Sequence, residues 1–229
     1  ERGTKELLII SQDTSAYGLD LKFEETLVNG TKLKTNIYNL VNELASLGIW
    51  VRLHYIYPYP HVKQLIPLMD QNRVLPYLDV PFQHAHPDVL KRMARPSNNV
   101  HDLEQISEWR SINPDLSIRS TFIVGFPGET ESEFNFLLDW LEEAKIDRVG
   151  CFKYEDVSGA RSNVMKDHLH DDIIQDRYDR FMSRAQQLSE LKLKEKVGKT
   201  FTCVIDTVEK DHLILSLIHI SEPTRPIAI

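Results

Sequence analysis

Hydrophobic and polar positions alternate in two rhythms along the first two-thirds of the chain. Short apolar runs of the buried parallel-strand type occur at 6–10, 49–55, 74–80, 116–124 and 148–154. Between them apolar residues recur at helical spacing. Ile37, Leu40, Val41 and Leu44 mark a helix over 36–47 closed by Gly48, and a short helix over 62–69 follows the break at Tyr57-Pro58-Tyr59-Pro60. Further helices are predicted at 88–93 and 100–112, parted by Pro96, and at 131–144, where Phe134, Leu137, Leu138 and Leu141 form the apolar face. Pro81 stops the third strand, and the stretch from Ser11 to Thr35, with Gly18 and Gly30, reads as a polar loop.

Strand–helix alternation of this kind argues for a parallel α/β architecture. Five alternations fit either an open doubly wound sheet or part of a (β/α) barrel. Polar clusters just after four of the strands decide between them: Ser11-Gln12-Asp13, Tyr57 to His61, Gln83 to His86 and Gly125 to Glu129. In a barrel such loops converge on one mouth, where ligands bind. A doubly wound sheet instead carries one dominant glycine-rich phosphate loop after its first strand. Ser11-Gln12-Asp13-Thr14-Ser15 contains no glycine, so the pattern predicts a barrel.

The last third changes character. Residues 171–197 read as one long helix with Ile174, Tyr178, Phe181, Ala185 and Leu188 as its apolar stripe. Acidic Asp171, Asp172 and Asp176 open it and Lys192, Lys194 and Lys196 close it, the order that suits the helix dipole. A strand over 200–208, a turn at Glu209-Lys210-Asp211 and a second strand from His212 predict the opening hairpin of a small β domain. From Leu215 to Ile229 both rhythms disappear, and the text resembles translated sequencing-adapter DNA; no function is read from it. The predicted organisation is therefore 1–170, a connecting helix over 171–198, a hairpin over 199–214 and a non-native tail over 215–229.

Composition narrows the class. The 229 residues are 41% hydrophobic and 27% charged, values of an ordinary soluble globular chain. No apolar run is long enough to span a bilayer, and the polar start Glu1-Arg2-Gly3-Thr4-Lys5 is not a secretory signal. A net charge of −7 works against generic nucleic-acid binding. Cys151 and Cys203 stand far apart, without ligand spacing, so neither a disulfide framework nor a cysteine metal site is encoded, and a reduced, cytoplasmic setting is expected.

Candidate chemistry lies in the post-strand loops. Ser11, Gln12 and Asp13 offer hydroxyl, amide and carboxylate groups, although the same residues build turns by bonding their own backbone. Gln83 and His84 sit at the tip of a strand ended by Pro81. Gly125-Phe126-Pro127-Gly128-Glu129-Thr130 joins two glycines, which allow positive φ or close approach to a ligand, to a helix-capping threonine; its backbone amides are candidates for binding a carboxylate or phosphate. Arg119 and Thr121 alternate on the preceding strand towards the barrel interior, where an arginine needs an anionic partner. His54, His61, His84 and His86 match no standard zinc set, and Cys151 reads as a small buried hydrophobe. From the residues alone, the expectation is a barrel-like α/β protein whose polar mouth binds a small polar ligand.

Five stretches carry a resemblance. Residues 10–18 (Ile-Ser-Gln-Asp-Thr-Ser-Ala-Tyr-Gly), 52–61 (Arg-Leu-His-Tyr-Ile-Tyr-Pro-Tyr-Pro-His), 75–85 (Leu-Pro-Tyr-Leu-Asp-Val-Pro-Phe-Gln-His-Ala), 119–130 (Arg-Ser-Thr-Phe-Ile-Val-Gly-Phe-Pro-Gly-Glu-Thr) and 147–154 (Asp-Arg-Val-Gly-Cys-Phe-Lys-Tyr) resemble the RimO-type radical-SAM methylthiotransferases, in order, over about residues 3 to 214. The tRNA-modifying MiaB type shares the Gly-Phe-Pro-Gly-Glu-Thr loop but has Gln-Ser-Gly where this chain has Gln83-His84-Ala85, so the ribosomal-protein branch is preferred. The resemblance implies an α/β fold: a partial radical-SAM (β/α)6 open barrel, then a long helix and the start of a β-rich TRAM domain. It implies attachment of a methylthio group to an aspartate of small-subunit ribosomal protein twelve on the ribosome, with RNA contact through TRAM. It further implies S-adenosyl-L-methionine and two 4Fe–4S clusters, which are held by cysteine thiolates.

The Cys-x3-Cys-x2-Cys ligands would precede Glu6 and are absent from this text, so the chain is expected to be an inactive fragment on its own, with no metal ligands of its own. By resemblance Ser11, Gln12 and Asp13 face the methionyl amino group. Gln83 and His84 sit at the ribose, and Arg119 and Thr121 near the carboxylate or ribose. Gly125, Gly128 and Glu129, with Phe152 and Tyr154, flank the adenine. The alternatives are a tRNA methylthiotransferase and a cluster-free ribosome- or RNA-binding adaptor.

Overall fold

The computed structural model describes residues 3–70, 74–95, 99–208 and 213–217. In chain order it contains β1 (Glu6–Ile9), β2 (Glu25–Val28), β3 (Thr31–Lys34), α1 (Ile37–Leu44), β4 (Trp50–Leu53), α2 (Ile66–Asp70), β5 (Tyr77–Asp79), α3 (Pro87–Arg92), α4 (Asn99–Ile112), β6 (Ser117–Val124), α5 (Glu131–Ala144), β7 (Arg148–Lys153), α6 (Asp171–Lys194), β8 (Cys203–Val208) and β9 (Leu213–Leu217). Two compact units divide the chain: 1–78 with 112–117 and 196–229, and 79–111 with 118–195.

In the first unit β4 pairs in parallel with β1 and with the start of β5, with Leu53 opposite both Ile9 and Leu78. Val51, Leu53 and Leu78 are fully buried, as the continuous apolar runs predict, and so are Ile56, Val62 and Ile66. Asn36 caps α1 by accepting the Asn39 amide at 2.8 Å. The helix tightens into a 3-10 turn over Ala45–Leu47 and ends on left-handed Gly48, φ 69°. The stretch read as a polar loop contains a hairpin. β2 and β3 are antiparallel, joined at Asn29 (φ 49°) and Gly30 (φ 81°), the positive-φ pair of a type I′ turn.

β8 and β9 form a second antiparallel pair. Leu215, Ser216 and Leu217, expected in the tail, lie in β9; the turn at 209–211 and residues 218–229 fall outside the described residues. Arg52 is wholly buried in this unit. Its Nε donates to Glu6 at 2.6 Å, its Nη2 to the Leu217 carbonyl at 3.2 Å, and its guanidinium lies 4.8 Å from the Tyr77 ring centre.

In the second unit β6 and β7 run parallel, with Thr121 opposite Gly150 and Ile123 opposite Phe152. Ile118, Ser120, Phe122 and Val124 of β6 are buried, while Arg119, Thr121 and Ile123 are partly open on the other face. Phe122 meets Trp140 of α5 at 5.9 Å and Phe181 of α6 at 5.6 Å, so the buried face is the one that packs on helices. Thr130 and Glu133 form a reciprocal capping box at the start of α5. The long helix ends at Lys194, three residues short of the predicted Val197, and the short helix predicted over 62–69 divides into a 3-10 turn over Pro60–Gln64 and α2. Among the described residues no helix is long and apolar enough to cross a membrane.

Candidate functional site

In the second unit the residue run after β5 is woven into β6. The Val80 amide donates to the Arg119 carbonyl, the Gln83 amide to Thr121 at 3.0 Å, and the Ile123 amide to the Gln83 carbonyl at 2.8 Å. Gln83 holds a left-handed φ of 68° to make both bonds, a backbone strain of the kind found at binding sites. Gln83 is thereby fixed beside Thr121 and Ile123. Arg119 finds its anionic partner in Asp79, 3.7 Å away and almost fully buried. Phe152, two-thirds exposed, follows on β7 beside Ile123. Tyr154 packs edge-on against Phe126 at 5.3 Å and donates to Asp156.

The Gly125-to-Glu129 loop folds around its own glutamate. Glu129 is 3% exposed, and its Oε2 accepts the amides of Gly125 at 2.8 Å and Phe126 at 3.4 Å. Its Oε1 accepts Arg177 Nη1 at 2.8 Å. Burial pushes the Glu129 carboxyl up, and Arg177 and the two amides pull it back. Each of these partners is a donor, so the site is built for the carboxylate. The amides proposed from the sequence to bind an anion are therefore already taken, by the loop's own side chain. Gly125 has φ 79°, and a Cβ there would meet Ile174 of α6 at 2.7 Å, so this glycine is required by packing. Gly128 has φ 76° with no such contact.

His84 is 1% exposed. Its Nδ1 accepts the His86 amide at 2.9 Å, which assigns the ring proton to Nε2. Nε2 lies 3.9 Å from Glu129 and has no hydrogen-bond partner among the described residues. Burial lowers the His84 pKa to about 3, with His86 adding to the shift, so the ring is neutral near pH 7.

His86, Asp88 and Glu133 bring ligand atoms within 4.8 Å of one another. However, Glu133 is bound to Arg92 at 2.8 Å and to Thr130, and His86 Nδ1 accepts the Asp88 amide. These bonds define a helix-end network. Cys151 is half-buried, and burial pushes its thiol up to about 12, so it stays protonated.

The other predicted group lies in the first unit. Asp13 caps a 3-10 turn over Thr14–Ala16: it accepts the Ser15 hydroxyl at 2.5 Å, the Ala16 amide at 3.2 Å and the Tyr59 hydroxyl at 3.0 Å. Ser11 bonds Thr14 through its amide, and both Ser11 and Gln12 are exposed. The turn reading of this loop thus accounts for Asp13 and for Ser11, whose hydroxyl also lies 3.3 Å from the Thr14 hydroxyl, and leaves Gln12 open. Sequence reasoning missed Arg52 and Arg177, both buried cations. Arg177 was visible only as a polar interruption of the apolar stripe of the long helix.

No family model matches the sequence. Among solved structures, coproporphyrinogen III oxidase from Escherichia coli, described as a radical SAM enzyme, is similar with a TM-score of 0.55 over 66% of this chain and 37% of that chain. At 16% identity the likeness shows the fold alone. Among curated proteins, ribosomal protein uS12 methylthiotransferase RimO of Roseobacter denitrificans is 58% identical over 211 residues, 92% of this chain and 45% of that protein. Its namesakes from Paracoccus denitrificans and Vibrio cholerae are 58% and 56% identical over 92% and 93% of this chain, and 46% and 45% of their own lengths. The chain thus spans about half the length of the curated relatives it matches. Sustained identity at this level makes the chain a segment of the RimO family of methylthiotransferases.

Proposed function

We propose that this chain forms the S-adenosylmethionine-facing portion of a methylthiotransferase that modifies an aspartate of ribosomal protein uS12. The observation that carries the reading is identity of 56–58% to proteins of that name along more than nine-tenths of the chain. When bound, S-adenosylmethionine supplies a carbon–sulfur bond whose reductive cleavage yields a hydrogen-abstracting radical. The residues of the second unit fit such a ligand. The exposed Phe152 ring and the Ile123 side chain offer an apolar seat for a purine beside Tyr154. Gln83 and Thr121 offer polar groups for ribose hydroxyls, and Arg119, tempered by Asp79, a cation for a carboxylate.

Glycine at 125 and 128 holds the loop backbone near that seat. Glu129 and His84 serve from below, as buried supports of the loop. In the first unit, Asp13 fixes the turn that carries Ser11 and Gln12. The 4Fe–4S clusters do not fit these residues. A cluster is held by several cysteine thiolates, whereas the 229 residues contain two cysteines, of which Cys151 is a protonated thiol. No step through a cluster follows from this chain. The β8–β9 hairpin is the proposed start of a domain that contacts RNA on the ribosome, in the cytoplasm.

The test is a chimera of the Vibrio cholerae relative in which its matching half is replaced by residues 3–214 of this chain. Mass spectrometry of uS12 is expected to show the methylthio-aspartate. A soluble chimera that binds S-adenosylmethionine but modifies tRNA, or leaves uS12 unmodified, would overturn the reading.

A further inference from the structure

We infer that Arg177 of α6 is a positioning residue that holds the Gly125–Glu129 loop in its ligand-facing shape. The loop carries one backbone turn bond of its own, from the Glu129 amide to the Phe126 carbonyl at 2.9 Å. Beyond that turn it is gathered by a side chain: Glu129 Oε2 accepts the amides of Gly125 and Phe126 at 2.8 and 3.4 Å. That carboxylate is in turn fixed from outside the loop. Arg177 Nη1 donates both to Glu129 Oε1 at 2.8 Å and to the Glu129 backbone carbonyl at 2.9 Å, so one cation fixes a side chain and the main chain behind it.

The arginine is itself immobilised. It is 4% exposed, its guanidinium lies 5.6 Å from the Phe134 ring centre, and its Nη2 stands 3.6 Å from Glu131. Two further ties come from the same stretch of chain. Ile174, almost one turn before Arg177, fills the space beside Gly125, and the Asp167 carbonyl accepts the Gly128 amide at 2.8 Å. The start of α6 therefore acts as a mould, with Arg177 as its one charged contact with Glu129.

The alternative partner for Glu129 is also in view. His84 Nε2, buried and without a hydrogen-bond partner among the described residues, lies 3.9 Å from Glu129 Oε2. That separation is beyond a hydrogen bond. With Arg177 in place the carboxylate is drawn towards α6, and His84 remains neutral beside it. Without the arginine, the carboxylate keeps the Gly125 and Phe126 amides and has His84 as its nearest side-chain donor among the described residues, and closing that gap would drag the loop with it.

The importance of Arg177 for a ligand rests on the proposed S-adenosylmethionine site; its grip on the loop does not. Two readouts separate the claims. The first is amide hydrogen exchange of residues 125–130 in the 229-residue chain. The second is the affinity of the same chain for S-adenosylhomocysteine by calorimetry. R177M/E129Q removes both charges together and leaves no unpaired buried ion; R177K keeps the charge but cannot reach both acceptors, and serves if the double variant fails to fold.

In either variant the loop amides are expected to exchange at least about tenfold faster than in the parent, while amides of the second half of α6 keep their protection. A tenfold change corresponds to the loss of about one charge-assisted hydrogen bond. The affinity is expected to fall by about the same factor, with R177K between the parent and the double variant. Loop amides that exchange at the parental rate would overturn the inference whatever the affinity does. Faster exchange with no binding even by the parent would leave the positioning role standing and sink the ligand reading instead.

Discussion

Replacing Gly125 by alanine tests the packing of the ligand loop most directly. Two penalties follow from the structure. The backbone at this position has φ 79°, a conformation that costs an L-residue about 1–2 kcal/mol. The new Cβ would also stand 2.7 and 2.8 Å from Ile174 Cγ1 and Cγ2, where relaxed carbon contacts lie near 3.5–4.0 Å. Ile174 cannot readily move aside: it is β-branched, helical and 7% exposed. Overpacking of this kind costs about 1–3 kcal/mol, so the total comes to about 2–5 kcal/mol.

Urea denaturation of the parent, G125A, I174A and G125A/I174A apportions the two effects. Removing the isoleucine side chain abolishes the clash but not the φ penalty. The double variant should therefore be more stable than the sum of the single changes predicts, by about 1–3 kcal/mol. Strict additivity would show that Ile174 does not occupy the space beside Gly125. A cost for G125A under about 0.5 kcal/mol would show that the loop does not adopt this conformation at all.

Two further variants probe the buried polar groups. His84, with its pKa lowered from 6.5 to about 3 by burial, binds its proton only in the unfolded chain across that window. Its stabilising contribution is complete above pH 6.5 and should be lost at about 1.4 kcal/mol per pH unit as the pH falls below it. H84N keeps an acceptor for the His86 amide, so its urea midpoints between pH 7.5 and 5 should fall less steeply; equal slopes would refute the assignment. Arg52, wholly buried against Glu6, should cost about 3–5 kcal/mol when changed to methionine alone. Chemical denaturation of E6Q/R52M should recover much of that loss, and a double variant no better than R52M would mean that the pair's charges are not what matters.

The strands and helices of the α/β pattern were legible in the sequence because their signals are local. A buried parallel strand announces itself as a short apolar run bounded by turn residues, and each of the five predicted runs contains an observed strand. The hairpin at 25–34 was locally encoded too, by Asn29-Gly30 between alternating residues, the pairing that a type I′ turn requires. Reading Gly30 as mere loop glycine ignored the asparagine before it. The long helix ended early because lysines that favour a helix C-terminus fit its last turn and the residues just beyond it equally well.

The supports of the candidate site were not legible, for a different reason. Asp13 carries the residue type of a ligand and the geometry of a cap, and only the neighbours Ser15, Ala16 and Tyr59 distinguish the two. Glu129 looked like a group offered to a ligand because its partner, Arg177, lies 48 residues away in sequence. Arg52 likewise reaches partners 46 residues before it and 165 after it. Sequence periodicity cannot see such pairs; burial of a charge makes them obligatory once the fold brings them together. The motif Gly-Phe-Pro-Gly-Glu-Thr therefore holds two kinds of information in one run. Its glycines and threonine specify local backbone, a positive φ at 125 and 128 and the cap of α5, whereas its glutamate is a request for a cation that the chain answers only in α6. A loop specified this way has its shape set by a distant helix, so a change on α6 that never approaches a ligand can still alter how the loop meets one.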